Sequence, residues 1–208
     1  MHGWVDRSGG PGPSGTGLVA PGESGPSRPE PISPSTLTDG VALVAAACRG
    51  RRSGYRGLAA AVDHICRSAG FDVGHVYLSC GRTGRIIPSR IWYLAPPASR
   101  FSTFVRNTSV SQLVPGQGLP GRVVSTGGPI VLDPLPDDVH TPRARAALAS
   151  GLRAACGYPV AVDHQLMVVL EFLTTGTIRS SRELDALVGQ LAVVLAPHLR
   201  DLDVEDLQ

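Results

Sequence analysis

The side chains with reactive chemistry are few and scattered. The thiols are Cys48, Cys66, Cys80 and Cys156. They form no Cys-x-x-Cys pair and no spacing that would close around a metal ion. The spacing therefore predicts four buried small hydrophobes in the reduced state. Serine, histidine and aspartate are dispersed, and none stands in the strand–turn–helix setting that makes a serine a nucleophile. The basic cluster Arg49, Arg51, Arg52 and Arg56 has only Tyr55 as an aromatic neighbour and no recognition helix. It reads as a solvated loop between helices, not as a nucleic-acid surface. These residues point to binding rather than catalysis, with no metal and no cofactor.

The elements that carry these residues follow from composition and pattern. The chain has 208 residues, a formal net charge of +2 and 42% hydrophobic residues. That suffices for one core of ordinary size, and the charge is too small for a general field attracting polyanions or anionic lipid. All basic residues are Arg, with no Lys, a habit of GC-rich coding. The start carries no secretory pattern, and no run approaches the ~20 apolar residues that span a bilayer. A cytoplasmic protein with no membrane partner is expected.

Residues 1–37 are rich in Gly, Pro and Ser, with Leu18 and Val19 the only larger aliphatics between Val5 and Ile32. Such a stretch buries too little to offset its ordering entropy, and a disordered tail is expected. The folded domain is expected over 38–200, followed by an acidic frayed terminus over 201–208. Thr38-Asp39 is read as the cap of a helix through Val41–Cys48. Leu58, Ala61, Val62, Ile65, Cys66 and Ala69 make one apolar helical face, stopped by Gly70. Val73–Cys80 and Arg85–Leu94 read as a hairpin about Gly81–Gly84. A short helix over Ser99–Arg106 turns Phe101, Phe104 and Val105 inward.

Next come a Gly/Pro turn, a short helix over Gly121–Thr126, a brief strand at Ile130–Leu132 and a helix opened by Thr141-Pro142. Strands at Leu152–Val162 and Leu166–Thr174 follow; the second is apolar on both faces and reads as central. The last helix has Ser180 and Glu183 as a capping box, with Leu184, Leu187, Val188, Leu191, Val194, Leu195 and Leu199 as its stripe. This order gives an α+β sandwich: a central antiparallel sheet, terminal helices on one face and short helices on the other.

Four fragments carry a family resemblance. They are Phe71-Asp72-Val73-Gly74-His75-Val76-Tyr77-Leu78, then Gly116-Gln117-Gly118-Leu119-Pro120-Gly121-Arg122-Val123, then Gly151-Leu152-Arg153-Ala154-Ala155 with Tyr158-Pro159-Val160, and finally Val168-Val169-Leu170-Glu171-Phe172. In this order the chain resembles the GAF domains, small-molecule sensors of bacterial signalling proteins, over about Leu58 to Leu199. The resemblance implies a pocket between the sheet and the small middle helices, and terminal helices that pair between subunits. The pocket estimate falls on Tyr93, Phe101, Phe104, Leu119, Arg122, Val123, Arg153 and Glu171. The four apolar members among these also read simply as core. Arg122, early in a short helix, either meets an anionic group or is solvated. Arg153 and Glu171, on strands expected to be adjacent, read as a mutual ion pair.

The resemblance also narrows the chemistry. Methionine sulfoxide reductases of this fold carry Cys where this chain has Pro120. Only Cys156 falls near the expected pocket, and a catalytic thiol needs exposure and a resolving partner. The bilin-attachment and cyclic-nucleotide signatures are missing. Haem requires an axial ligand in an apolar pocket, and His75 on a strand and His140 before a helix are each lone histidines, better read as core or surface. No kinase, cyclase or DNA-binding segment is expected within these residues. The expectation is a non-enzymatic sensor that binds an unknown small molecule, dimerises through its terminal helices and acts on a signalling partner such as a kinase or regulator. The alternative is an interaction module whose pocket its own side chains fill.

Overall fold

The computed structural model describes residues 32–80, 83–136, 140–162, 166–178, 182–200 and 202, with the backbone alone at Cys80, Leu166 and Met167. Residues 1–31 of the expected tail, most of the acidic terminus and Ser180 of the expected capping box lie outside this set.

Helix α1 spans Pro34–Ala47 and begins a turn earlier than the sequence reading placed it. The reason is local: Ser33 accepts a hydrogen bond from the Thr36 amide at 3.2 Å, and Pro34 presets the first helical turn. Helix α2 spans Ser53–Ala69 and ends at Gly70, whose φ of 72° is the left-handed cap that favours glycine. Helix α6 spans Arg182–Leu199 and buries Leu184, Leu187, Val188, Leu191, Leu195 and Leu199. α2 and α6 pack on each other and on one face of the sheet, and α1 packs on both of them.

The strands are β1 (Val73–Cys80), β2 (Arg85–Leu94), β3 (Ile130–Leu132), β4 (Ala154–Ala161) and β5 (Leu166–Thr174), in the order β2-β1-β5-β4-β3 with every pairing antiparallel. The doubly apolar β5 is central, as its composition predicts. Side chains alternate between two apolar layers. Val76, Leu78, Leu170 and Phe172 join the terminal helices, whereas Val73, Tyr77, Val169 and Leu173 face the opposite side.

On that opposite side lie the small helices α3 (Ser102–Ser109), α4 (Gly118–Thr126) and α5 (Pro142–Ala149). A 3-10 turn over Ala98–Phe101 leads into α3. α4 starts at Gly118, earlier than the expected Gly121, because Gly118 adopts a φ of 63° that turns the chain directly into the helix. The Gly116 amide and the Gly121 carbonyl then close the turn at 2.8 Å. α4 lies against β4 at Gly157, where a Cβ would stand 2.8 Å from Val123 Cγ2 and 3.3 Å from Leu119 Cγ. Glycine at that strand position lets the helix approach the sheet.

A buried polar cluster between sheet and small helices

β5 places Glu171 on the small-helix face, directly across from His75 of β1 and Gly157 of β4. Two residues along β1, Tyr77 points to the same side, as strand alternation requires. Both Glu171 and His75 are fully buried. The counterion comes from α5. Thr141 caps that helix by accepting from the Ala144 amide at 3.1 Å, and Arg143 in its first turn reaches back to the sheet. Arg143 Nη2 donates to Glu171 Oε2 at 2.5 Å, with side-chain exposures of 13% and 1%. Its guanidinium carbon stands 4.9 Å from the Phe104 ring centroid and 5.9 Å from that of Tyr77, in cation–π range of both.

Aromatic rings wall the cluster. His75 stacks on Trp92 at 3.6 Å and 9°, meets Tyr77 edge-on at 4.6 Å, and Trp92 meets Phe104 edge-on at 6.2 Å. His75 Nδ1 lies 2.9 Å from the Ile91 carbonyl oxygen. A carbonyl only accepts, so Nδ1 carries the proton and Nε2 of the neutral ring presents a lone pair. Burial holds the ring neutral: it lowers the His75 pKa to about 3, and Arg143 acts in the same direction against the Ile91 bond. Burial also pushes the Tyr77 hydroxyl far above its usual range. Burial opposes the charge on Arg143, but the Glu171 carboxylate outweighs it and holds the guanidinium firmly protonated.

Among the described residues, four buried polar atoms of this cluster find no hydrogen-bond partner: His75 Nε2, Tyr77 Oη, Arg143 Nε and Glu171 Oε1. The first and last accept, Arg143 Nε donates, and the Tyr77 hydroxyl can do either. Such atoms each cost about 1–3 kcal/mol when left unpaired, so four together mark a place that can take a polar occupant. Two open surface clefts, about 250 Å³ beside Pro88 and Ser111 and about 230 Å³ beside Tyr55 and Pro197, lie away from it.

The structure sorts the eight residues singled out by sequence. Phe101, Phe104, Leu119 and Val123 are buried together on the small-helix face, and Glu171 is buried among the polar groups there. Three lie elsewhere. Tyr93 points to the terminal-helix face, where the Arg67 guanidinium sits 5.4 Å over its ring. It neighbours Trp92 on β2, and only one of two consecutive strand residues can face the cluster. Arg122 is exposed on α4. Arg153 is exposed and donates to the Leu148 and Leu152 carbonyls at 3.2 Å each. The expected Arg153–Glu171 pair is replaced by Arg143–Glu171, because Arg153 precedes β4 while α5 delivers Arg143 over the sheet.

Sequence reasoning missed Arg143 and Tyr77, named Trp92 only as a ring that could close the cavity with Phe101, Phe104 and Tyr93, and gave His75 no role at the site. The available signal was parity: His75, Tyr77 and Glu171 share a face once β1 and β5 pair. Cys156 is also corrected. It faces the terminal helices, and burial raises its thiol, with Glu171 and Asp185 adding to the effect. Cys48 and Cys66 are likewise buried free thiols raised by desolvation.

A five-stranded antiparallel sheet with the long terminal helices layered over one face and a walled polar cluster beneath short helices on the other defines an α+β sandwich domain. The GAF domain family model matches residues 56–199, and the chain belongs to that family. Among solved structures it is similar to the GAF domain of a phosphoenolpyruvate-protein phosphotransferase from Coxiella burnetii, with 17% identity, a TM-score of 0.61, and 79% of this chain and 93% of that one covered. It is also similar to a free methionine-R-sulfoxide reductase from Neisseria meningitidis solved with its substrate, with 18% identity, a TM-score of 0.57, and 80% and 90% covered. A third is the phycoerythrobilin-bound GAF domain of a cyanobacterial phytochrome, with 17% identity, a TM-score of 0.52, and 78% and 95% covered. At these identities the likeness is one of fold. No curated protein sequence matches this one.

Proposed function

We propose that this chain is a non-enzymatic regulatory GAF domain that binds a small molecule at the His75–Tyr77–Arg143–Glu171 cluster and passes the signal to a partner protein in the cytoplasm. The observation that carries the reading is the set of four unpartnered polar atoms gathered in one aromatic-walled place. Phe104 and Glu171 line the site, with Phe101, Leu119 and Val123 packed around it. A binding role rather than thiol chemistry is supported by burial of the Cys48, Cys66 and Cys156 thiols, whose raised pKa values disfavour the nucleophilic form. Pro120, buried at the start of α4, offers no nucleophile.

A homodimer through the terminal helices belongs to the same reading. Leu43 on α1 is 47% exposed and Val193 on α6 is 76% exposed, and Ala42, Ala45, Ala46 and Ala186 are exposed on the same two helices. α1 and α6 pack side by side.

A second reading is favoured by one observation. The Arg143 guanidinium, seated on Phe104 and Tyr77 and paired with Glu171, itself occupies the cluster. In that reading the chain is a ligand-free interaction module. Native mass spectrometry and an absorption spectrum of freshly purified protein separate the two. A mass above that of the chain, or a chromophore band, supports the sensor. A bare mass, no band and no binding from a metabolite extract supports the module.

A further inference from the structure

We propose that the ligand of this cluster is a zwitterion, a free α-amino acid with an apolar side chain; this rests on the reading of the cluster as a small-molecule site. The argument starts from what each unpartnered atom offers. Glu171 Oε1 and His75 Nε2 accept, Arg143 Nε donates, and Tyr77 Oη can donate or accept. The two acceptors stand on paired positions of neighbouring strands. The donor Arg143 Nε comes from α5, with the guanidinium carbon 5.9 Å from the Tyr77 ring centroid, and the Tyr77 hydroxyl can serve either set. A ligand that completes the cluster therefore presents hydrogen-bond donors to Glu171 and His75 and an acceptor to Arg143.

Charge then selects among such ligands. Arg143 and Glu171 neutralise each other within the cluster. An anionic ligand that draws Arg143 to itself leaves Glu171 buried without a counterion, and a cationic ligand on Glu171 does the same to Arg143. Stranding one member of a buried pair is strongly unfavourable. A ligand carrying both signs inserts between the partners and replaces each lost contact: its ammonium takes Glu171 and His75, and its carboxylate takes Arg143 and Tyr77. The pair is in direct contact at 2.5 Å, so the ligand's two charges must lie close together, as on a single α-carbon and not at the ends of an ω-amino acid. The remaining walls, Trp92 and Phe104, are apolar rings backed by Phe101, which suits an aliphatic or aromatic side chain. Arg143 retains 13% exposure against 1% for Glu171, so solvent meets the pair at Arg143.

The test is calorimetric titration of the full chain with L-leucine, L-isoleucine, L-methionine, L-phenylalanine and L-tryptophan. Each is paired with its decarboxylated amine and its deaminated acid. At least one amino acid is expected to bind with unit stoichiometry, and its amine and acid analogues at least tenfold more weakly. Tyr77→Phe removes a hydroxyl that has no partner in the free protein, so the variant is expected to melt as the wild type does and to bind the amino acid at least tenfold more weakly. The proposal is overturned if none of the five binds, if an amine or acid analogue binds as tightly, or if Tyr77→Phe leaves affinity unchanged. Binding of a nucleotide, sugar or dicarboxylate from a parallel panel, lost in Tyr77→Phe, overturns the zwitterion and leaves the small-molecule reading standing. Silence from both panels and from a cell extract overturns both, and leaves buried water as the occupant.

Discussion

Arg143 in the first turn of α5 and Glu171 in the middle of β5 are joined at 2.5 Å across the small-helix layer, with Glu171 almost wholly buried. Removing the cation leaves a carboxylate in a low-dielectric place. Arg143→Ala is expected to lower unfolding free energy by about 3–5 kcal/mol. The double variant Arg143→Leu, Glu171→Leu is expected to recover much of that loss, since apolar groups replace both charges. Urea denaturation of Arg143→Leu, Glu171→Leu and the double variant gives the coupling energy. Additive losses would deny the pair.

His75 sets an acid dependence. Its folded pKa of about 3 lies below the ordinary 6.5. Between those values the unfolded chain binds a proton that the folded chain refuses, so folding stability falls as pH drops through this window. The loss attributable to His75 is at most about 1.4 kcal/mol per pH unit below 6.5. His75→Gln removes the titrating ring, and its urea midpoint is expected to fall less steeply between pH 6.5 and pH 5 than that of the wild type. Equal slopes would place the acid sensitivity in other groups.

Gly157 is the contact point of α4 on the sheet. A methyl group there would press on Val123 and Leu119, both fully packed. Gly157→Ala is expected to cost about 1–3 kcal/mol, the range for overpacking. Gly128, with open space around its Cα, provides the control: Gly128→Ala is expected to leave the thermal midpoint nearly unchanged.

The terminal-helix face makes its own prediction. Leu43→Glu and Val193→Glu place charges on exposed apolar positions of α1 and α6. If that face joins two copies, each substitution is expected to convert a dimer to a monomer in sedimentation velocity, with the fold intact by circular dichroism. A wild-type mass equal to one chain at all concentrations would remove the dimer from the account.

Much of the fold was legible because local pattern and tertiary demand agree. The stripe from Leu58 to Cys66 and the Gly70 stop define α2, and β1, β2 and β5 run over the residues that their composition predicts. Face assignment failed where alternation carries no sign. Trp92 and Tyr93 are both aromatic, so the pattern does not say which faces the small helices. Cys156 sits between Ala155 and Gly157, small residues that mark neither side. Arg143 was hidden for a different reason. Its meeting with Glu171 depends on where α5 lies relative to β5, a long-range outcome with no local signature. Glu171 was found because it lies in the fragment that carries the family resemblance, and its partner proved to be Arg143 instead of the expected Arg153.

The central claim is that a small molecule binds at this polar cluster. Its most direct test is the thermal midpoint of the wild type and of Glu171→Gln, each measured against its own ligand-free baseline across one metabolite panel. A ligand at 100 times its dissociation constant stabilises by about 2.7 kcal/mol, which raises the midpoint of a domain of this size by roughly 5–10 °C. The account predicts such a rise for at least one compound in the wild type and its loss in Glu171→Gln. A panel that moves neither protein, or a compound that moves both equally, would contradict it.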